Sequence, residues 1–73
     1  MGKRGAQITN RIRELRADAG GMTQQHLADL AGVTRQTVIA IEANKYSPSL
    51  EVAFRISRRL GVPLERVFGF QED

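Results

Sequence analysis

The 73-residue sequence contains no cysteine, no tryptophan and a single histidine, His26. Without thiols, disulfide bonds, thiolate zinc sites and cysteine nucleophiles are excluded, and a metal site would have to consist of carboxylates. No serine, carboxylate or second histidine stands at a spacing that would make His26 a base or a metal ligand, so we interpret it as a surface residue. The sequence therefore predicts no catalytic residues, no metal site and no cofactor.

Long apolar runs and aromatic residues are also scarce. The longest uninterrupted apolar run, residues 38–41, is far shorter than the ~18 residues that a membrane-spanning helix needs. Aromatic residues make up 5% of the chain, which is few for the exposed stacking platform that RNA-binding domains use. We therefore expect a cytoplasmic protein without a membrane partner, and RNA is a poor candidate ligand.

The remaining composition is that of an ordinary globular chain, with 41% hydrophobic and 26% charged residues, and its length suits one small domain. The net charge is +3. The basic excess lies in the first 16 residues, where Glu14 alone opposes Lys3, Arg4, Arg11, Arg13 and Arg16. Such a distribution favours a polyanionic partner.

Glycine and proline divide the chain into segments of helical length, for which the apolar spacing predicts five helices. The first helix ends at Gly20 and has its apolar stripe at Ile8, Ile12, Leu15 and Ala19. The second helix follows an N-cap at Thr23 and ends at Gly32. Its side chains that face the core are Leu27, Ala28 and Ala31.

The third helix follows an N-cap at Thr34 and buries Val38 and Ile41. For the fourth, either Ser47 or Ser49 is the cap, and the apolar stripe consists of Leu50, Ala53, Ile56 (or Ser57) and Leu60. Pro63 suits the first turn of a short fifth helix over residues 64–68.

The second and third helices are joined by only three residues, 32–34. So short a connection with a glycine predicts that the two helices cross steeply, as in a helix-turn-helix. The crossing exposes Arg35 and Gln36 in the first turn of the third helix, where they can enter the major groove of DNA. Arginine pairs bidentately with guanine and glutamine with adenine.

Three segments together carry a family resemblance: residues 23–28 (TQQHLA), 32–38 (GVTRQTV) and 41–45 (IEANK). They are similar to the Cro/CI-type (Xre) helix-turn-helix repressors, and the similarity runs from about residue 8 to 68. The segments NKYSPSL and LERVF resemble especially the small single-domain members, which act as dimeric repressors.

The resemblance implies an all-α, five-helix lambda-repressor-like DNA-binding domain over residues 8–70. Residues 1–7 would be a flexible basic tail and residues 71–73 a carboxy-terminal tail. The basic pair Lys3-Arg4 is either a solubilising tail or an arm that reaches DNA.

The resemblance also assigns roles to individual residues. Base contacts are expected from Gln24, Thr34, Arg35, Gln36 and Ala40. Phosphate contacts are expected from Arg13, Thr23, Thr37, Asn44, Lys45 and Tyr46. Arg16 and Glu42 match a pair that forms a structural salt bridge between the first and third helices.

Several assignments keep alternatives. Asn44 either contacts DNA or only ends its helix in the left-handed conformation, and Tyr46 either contacts DNA or packs under the loop. Ile39 either meets the fourth helix or a thymine methyl. The pair Gly20-Gly21 departs from the family's single glycine, so we expect a first turn that is one residue longer, and Ala40 departs from the family's frequent polar residue there.

Apolar residues at the carboxy-terminal end exceed what so small a domain needs, which suggests a partner surface. We expect a homodimer with an interface at Leu64, Val67 and Phe70, while Phe68 packs in the core. The predicted function is a transcriptional regulator, a repressor that binds a palindromic operator in double-stranded DNA through the major groove. The alternative is an antitoxin-like DNA-binding module that pairs with a protein partner. No enzyme activity and no small-molecule ligand are predicted.

Overall fold

The computed structural model of the protein describes residues 7–72. These residues form five helices and a two-stranded sheet, in the order β1 (Gln7–Asn10), α1 (Ile12–Asp18), α2 (Gln24–Ala31), α3 (Arg35–Glu42), α4 (Leu50–Leu60), α5 (Leu64–Val67) and β2 (Phe68–Gln71). The five predicted helices are confirmed and the domain is mostly helical, but the all-α prediction did not include the small sheet in which both ends of the domain pair as strands. Residues 1–6, including Lys3 and Arg4, lie outside the described residues.

β1 and β2 form an antiparallel ladder in which Ile8 lies opposite Phe70 and Thr9 opposite Gly69. β-branched and aromatic side chains suit a pleated strand surface. A Cβ atom at Gly69 would lie 2.8 Å from Thr9 Oγ1, so the absence of a side chain lets the strands approach closely. The ladder includes residues 7 and 71 at its ends.

α1 begins four residues later than the sequence predicts, at Ile12. Ile8 and Ile12 are spaced like neighbours on one helical face, but Ile8 belongs to the strand. At the other end, Ala19 follows the last helical residue and is exposed, so the prediction that it extends the apolar stripe is wrong. Gly20 and Gly21 both have positive φ, near +85° and +81°, which allows the longer turn.

The starts of α2, α3 and α4 are set by side-chain caps. The hydroxyl of Thr23 accepts a hydrogen bond from the His26 amide at 3.0 Å, and that of Ser49 accepts one from the Val52 amide at 3.2 Å. The cap of α4 is thus Ser49 rather than Ser47. Gly32 ends α2 in the left-handed conformation, as predicted.

The core lies between α1, α2, α3, α4 and α5. Its buried members are Ile12, Leu15, Leu27, Ala28, Ala31, Val38, Ile41, Ile56 and Val67. Of the predicted α4 stripe, Ala53 and both alternatives, Ile56 and Ser57, are buried, and Leu60 packs against the core. Leu50 is 68% exposed, so its assignment to that stripe is wrong: it lies in the first turn of α4, beyond the edge of the core. Phe68 packs against the core, as expected.

Candidate nucleic-acid interface

The first turn of α3 faces solvent because its inward side is anchored. Val38 and Ile41 are buried, which turns Arg35 and Gln36 outward, where both are exposed. The hydroxyl of Thr34 accepts a hydrogen bond from the Thr37 amide at 3.2 Å, and its Oγ1 lies 3.0 Å from the Thr37 hydroxyl. Hydrogen bonds between Thr34 and Thr37 therefore hold the first turn of α3, and Arg35 and Gln36 point away from the core.

A polar network holds α3 against α1 and α2. Glu42 receives two hydrogen bonds from Arg16, at 2.8 Å from Nε and 3.1 Å from Nη2. The side chains are only 15% and 10% exposed. Arg16 Nη1 also donates to the Met22 carbonyl oxygen at 2.8 Å, so the structure contains the expected pair and ties it to the turn before α2.

Gln24 joins the same network. Its Nε2 donates to Glu42 Oε1 at 3.2 Å, and the residue is half-buried at the start of α2. One N–H and the carbonyl oxygen of the amide are still available to an external partner. The network thus fixes the position of a side chain expected at the DNA surface.

Shallow depressions flank α3 on two sides. One contains three arginines and is lined by Arg13, Arg16, Thr23, Gln24, Gln25 and Arg35. The other is lined by Gln36, Thr37, Ala40 and Tyr46. Of the sequence-predicted contact residues, this arrangement brings together all except Thr34, Asn44 and Lys45 beside α3. Tyr46 is exposed there, so it does not pack under the loop. His26 is exposed, as interpreted.

The carboxy-terminal end of α3 is held by Asn10, a residue that the sequence analysis did not single out. Its Nδ2 donates to the Ile41 carbonyl oxygen at 2.8 Å and to Asn44 Oδ1 at 2.9 Å. Its Oδ1 accepts from the Ile12 amide at 3.1 Å. An asparagine two residues before a helix is a local signal for that last bond only, and here the predicted first helix already included residue 10. The contact with α3 spans more than thirty residues and has no local signature.

Asn44 has φ near +59°, so it ends α3 in the left-handed conformation. This is the second of the two alternatives given for Asn44 in the sequence analysis. Its side chain is engaged with Asn10. Lys45 is exposed, and its amide donates to the Ala40 carbonyl oxygen at 2.9 Å. The backbone of the loop is therefore held at the end of α3, and the exposed Lys45 follows the helix directly.

Comparison with known proteins agrees with this arrangement. A protein-family model described as Helix-turn-helix matches residues 12–67. The chain belongs to the Xre-family helix-turn-helix proteins. In this helix-turn-helix protein, α2 and α3 are the two helices of the motif.

Relatives of this helix-turn-helix chain are found in archaea and bacteria. It is 45% identical over 66 residues to an uncharacterized HTH-type transcriptional regulator of Methanocaldococcus jannaschii, covering 90% of this chain and 98% of the relative. One from Methanothermobacter thermautotrophicus is 52% identical over 63 residues, with 85% and 90% covered. A relative from Bacillus subtilis is 44% identical over 66 residues, with 90% and 98% covered. These proteins carry the name of transcriptional regulators, and the helix-turn-helix family to which the chain belongs binds DNA.

The helix-turn-helix domain also carries an apolar face at the end formed by the sheet and α5. We define this apolar face as the residues that line two adjoining depressions and have apolar side chains: Ile8, Pro48, Leu50, Ala53, Leu64, Phe68 and Phe70. Phe70 is 63% exposed and Leu64 is half-buried. Val67 is fully buried, so its prediction as an interface residue is wrong: its side chain completes the monomer core.

Within residues 7–72, no group of three or more histidine, aspartate and glutamate side chains is arranged to hold a metal ion. None of the described helices is long and apolar enough to cross a membrane.

Proposed function

We propose that the protein is a sequence-specific regulator of transcription that binds an operator through the major groove and represses by occupying promoter DNA. The observation that carries the proposal is the exposed first turn of α3. Arg35 and Gln36 point outward there, while the opposite side of the helix is buried through Val38 and Ile41. In the major groove, an arginine side chain can donate two hydrogen bonds to guanine O6 and N7, whereas a glutamine amide can donate to adenine N7 and accept from the adenine amino group. Thr34 and Ala40 lie on the same helix and complete the proposed base-contacting surface with Gln24.

Phosphate contacts would orient α3 in the groove. Arg13 and Thr23 line the arginine-rich depression on one side of α3, and Thr37 and Tyr46 line the depression on the other. Lys45, with Asn44, follows the end of the helix. Hydrogen-bond donors on both sides of a helix, with arginines on one side and a lysine after its end, fit the two phosphate strands that border a major groove.

The Arg16–Glu42 pair supports this geometry as a positioning element. Because Glu42 also receives a hydrogen bond from Gln24, the ion pair holds α1, the start of α2 and the end of α3 in one arrangement. A preorganised interface loses less side-chain entropy on binding. Arg16 itself is mostly covered, so its proposed role is structural.

We further propose that the protein acts as a homodimer through the apolar face. Leu50 and Phe70 are large apolar side chains that are mostly exposed, and they lie in two adjoining depressions with Leu64. A contiguous exposed apolar patch indicates a protein contact. A two-fold dimer would bury the patch of each copy and place two recognition helices about 34 Å apart on one side of a palindrome.

The DNA proposal is tested by selecting duplexes from a random pool and measuring binding of the winners by fluorescence anisotropy. We expect a palindromic consensus, with affinity that falls steeply as salt rises because bound phosphates release counterions. Recovery of no consensus, or an affinity for the consensus equal to that for scrambled duplex, would refute sequence-specific binding.

The dimer is tested by sedimentation of the wild type and of a Leu50→Ser/Phe70→Ser variant. We expect a dimer for the wild type and a monomer for the variant, which would bind a half-site only. Ile39→Ala is the matched control, since it removes an exposed apolar side chain from α3 and should leave the dimer intact. A wild-type monomer that binds a second protein stoichiometrically through the apolar face would instead favour an antitoxin-like module.

A further inference from the structure

Ile39 lies on the outward side of α3 although it is strongly apolar. Val38 and Ile41, its neighbours on the helix, are buried, whereas Ile39 is 38% exposed. Side chains four residues apart differ by only about 40° around a helix axis. Ile39 therefore stands one turn beyond Arg35 on the same face.

The surroundings of Ile39 argue against the fourth helix, one of the two neighbours that the sequence left open. It lines a shallow depression together with Arg13, Gln24, Glu42 and Ala43. These residues belong to α1, α2 and the end of α3, and α4 contributes none of the lining. Apart from Ala43, the side chains beside Ile39 are polar or charged, so the depression gives it little apolar cover.

We propose that Ile39 is a specificity-determining residue that recognises thymine by packing against its C5 methyl group. This inference rests on the proposed function, since it requires α3 to enter the major groove. The thymine methyl is the one apolar group that base pairs present on the floor of that groove. A branched apolar side chain on this side of α3 matches it in chemistry, Arg13 lines the same depression, and Arg35 stands one turn earlier on the helix.

The same contact disfavours other bases. A cytosine amino group or an adenine amino group placed against Ile39 would lose water without gaining a hydrogen bond. The side chain at position 40 adds only one methyl group, so Ile39 supplies most of the apolar surface on this part of α3. Recognition at this position would therefore depend on shape and desolvation, while Arg35 and Gln36 use hydrogen bonds.

The test replaces single thymines by deoxyuridine, which lacks only the methyl group, in the duplex selected by the wild-type protein. We expect one thymine in each half-site at which the exchange weakens wild-type binding about fourfold, the value for one buried methyl-sized group. With Ile39→Ala, the thymine and deoxyuridine duplexes should bind equally at that position. Ile39→Val should keep part of the difference.

Leu30→Ala is the matched control, because Leu30 is an aliphatic side chain of nearly equal exposure, 36%, on α2. It should retain the full deoxyuridine effect. Selection repeated with Ile39→Ala should lose the thymine preference at the same position and keep the preferences assigned to Arg35 and Gln36.

The outcomes separate this inference from the proposed function. If the wild type binds a selected consensus but no thymine responds to deoxyuridine, Ile39 reads no methyl group. An equal deoxyuridine effect in wild type and Ile39→Ala would overturn the assignment in the same way. Absence of any selected duplex would instead contradict the proposed function itself, and this inference with it.

Discussion

Replacement of Glu42 by alanine should cost the protein a large part of its stability. The substitution leaves the Arg16 guanidinium 15% exposed without its carboxylate. It also removes the acceptor of the Gln24 amide, which Glu42 Oε1 provides at 3.2 Å. Breaking a buried ion pair by removing one partner typically costs about 3–5 kcal/mol.

That cost is large on the scale of the whole domain. At roughly 0.05–0.15 kcal/mol per residue, a chain of this size has a free energy of unfolding of roughly 4–11 kcal/mol. We therefore expect Glu42→Ala to lower the urea midpoint strongly, or to unfold the protein at 37 °C. The measurement is urea denaturation followed by circular dichroism at fixed pH and salt.

Two further variants separate the ion pair from general damage to α3. Glu51→Ala removes the carboxylate of an exposed pair with Arg55, in which the side chains are 71% and 49% exposed, and should cost less than about 1 kcal/mol. The double variant Arg16→Met/Glu42→Leu leaves no unpaired charge, so it should recover most of the stability that Glu42→Ala loses.

The reasoning would be refuted by either of two results. A loss below about 1 kcal/mol for Glu42→Ala would mean that water screens the pair as it does a surface pair. A double variant whose loss of stability equals the summed losses of the single variants Arg16→Met and Glu42→Leu would mean that the charges are not coupled.

Four other expectations follow from single contacts. Arg35→Ala should cost about 1–3 kcal/mol of binding free energy on the selected duplex and relax specificity at one base pair; equal losses on every sequence would argue against base reading. Lys45→Ala should weaken binding to all duplexes alike and reduce the slope of log affinity against log salt concentration by about one. Gly69→Ala should lower the thermal midpoint because its Cβ would meet Thr9 Oγ1 at 2.8 Å, and adding Thr9→Ala should restore it; no rescue would contradict the steric explanation. Asn10→Ala should reduce the unfolding free energy by about 1–3 kcal/mol, since it removes bonds to both α1 and α3, and a change within error in chemical denaturation would show that water replaces them.

The helices of the motif could be predicted because their signals are local. Threonine caps at 23 and 34, a left-handed glycine at 32 and inward residues at the helical period act within one or two turns of the backbone. The structure agrees at each of these positions. The outward direction of Arg35 and Gln36 follows from the burial of Val38 and Ile41, so it too was available from spacing.

The errors occurred where distant parts of the chain meet. β1 and β2 are four residues each and lie about sixty residues apart, so neither shows enough alternation to be distinguished from a helix end or a tail. Val67 was assigned to a surface and Leu50 to the core for the same reason. Spacing shows which residues share a face of α4 or α5, and only the packing of those helices shows where each face ends.

The amino-acid sequence by itself determined the helix-turn-helix, its caps and the exposed turn that would contact DNA, because each depends on interactions within a few residues. The tertiary structure alone decided the pairing of the chain ends, the attachment of Asn10 to α3 and which residues surround Ile39. Those features depend on which surfaces meet across thirty or more residues, and a side chain's neighbours at that distance are set by packing of the whole domain.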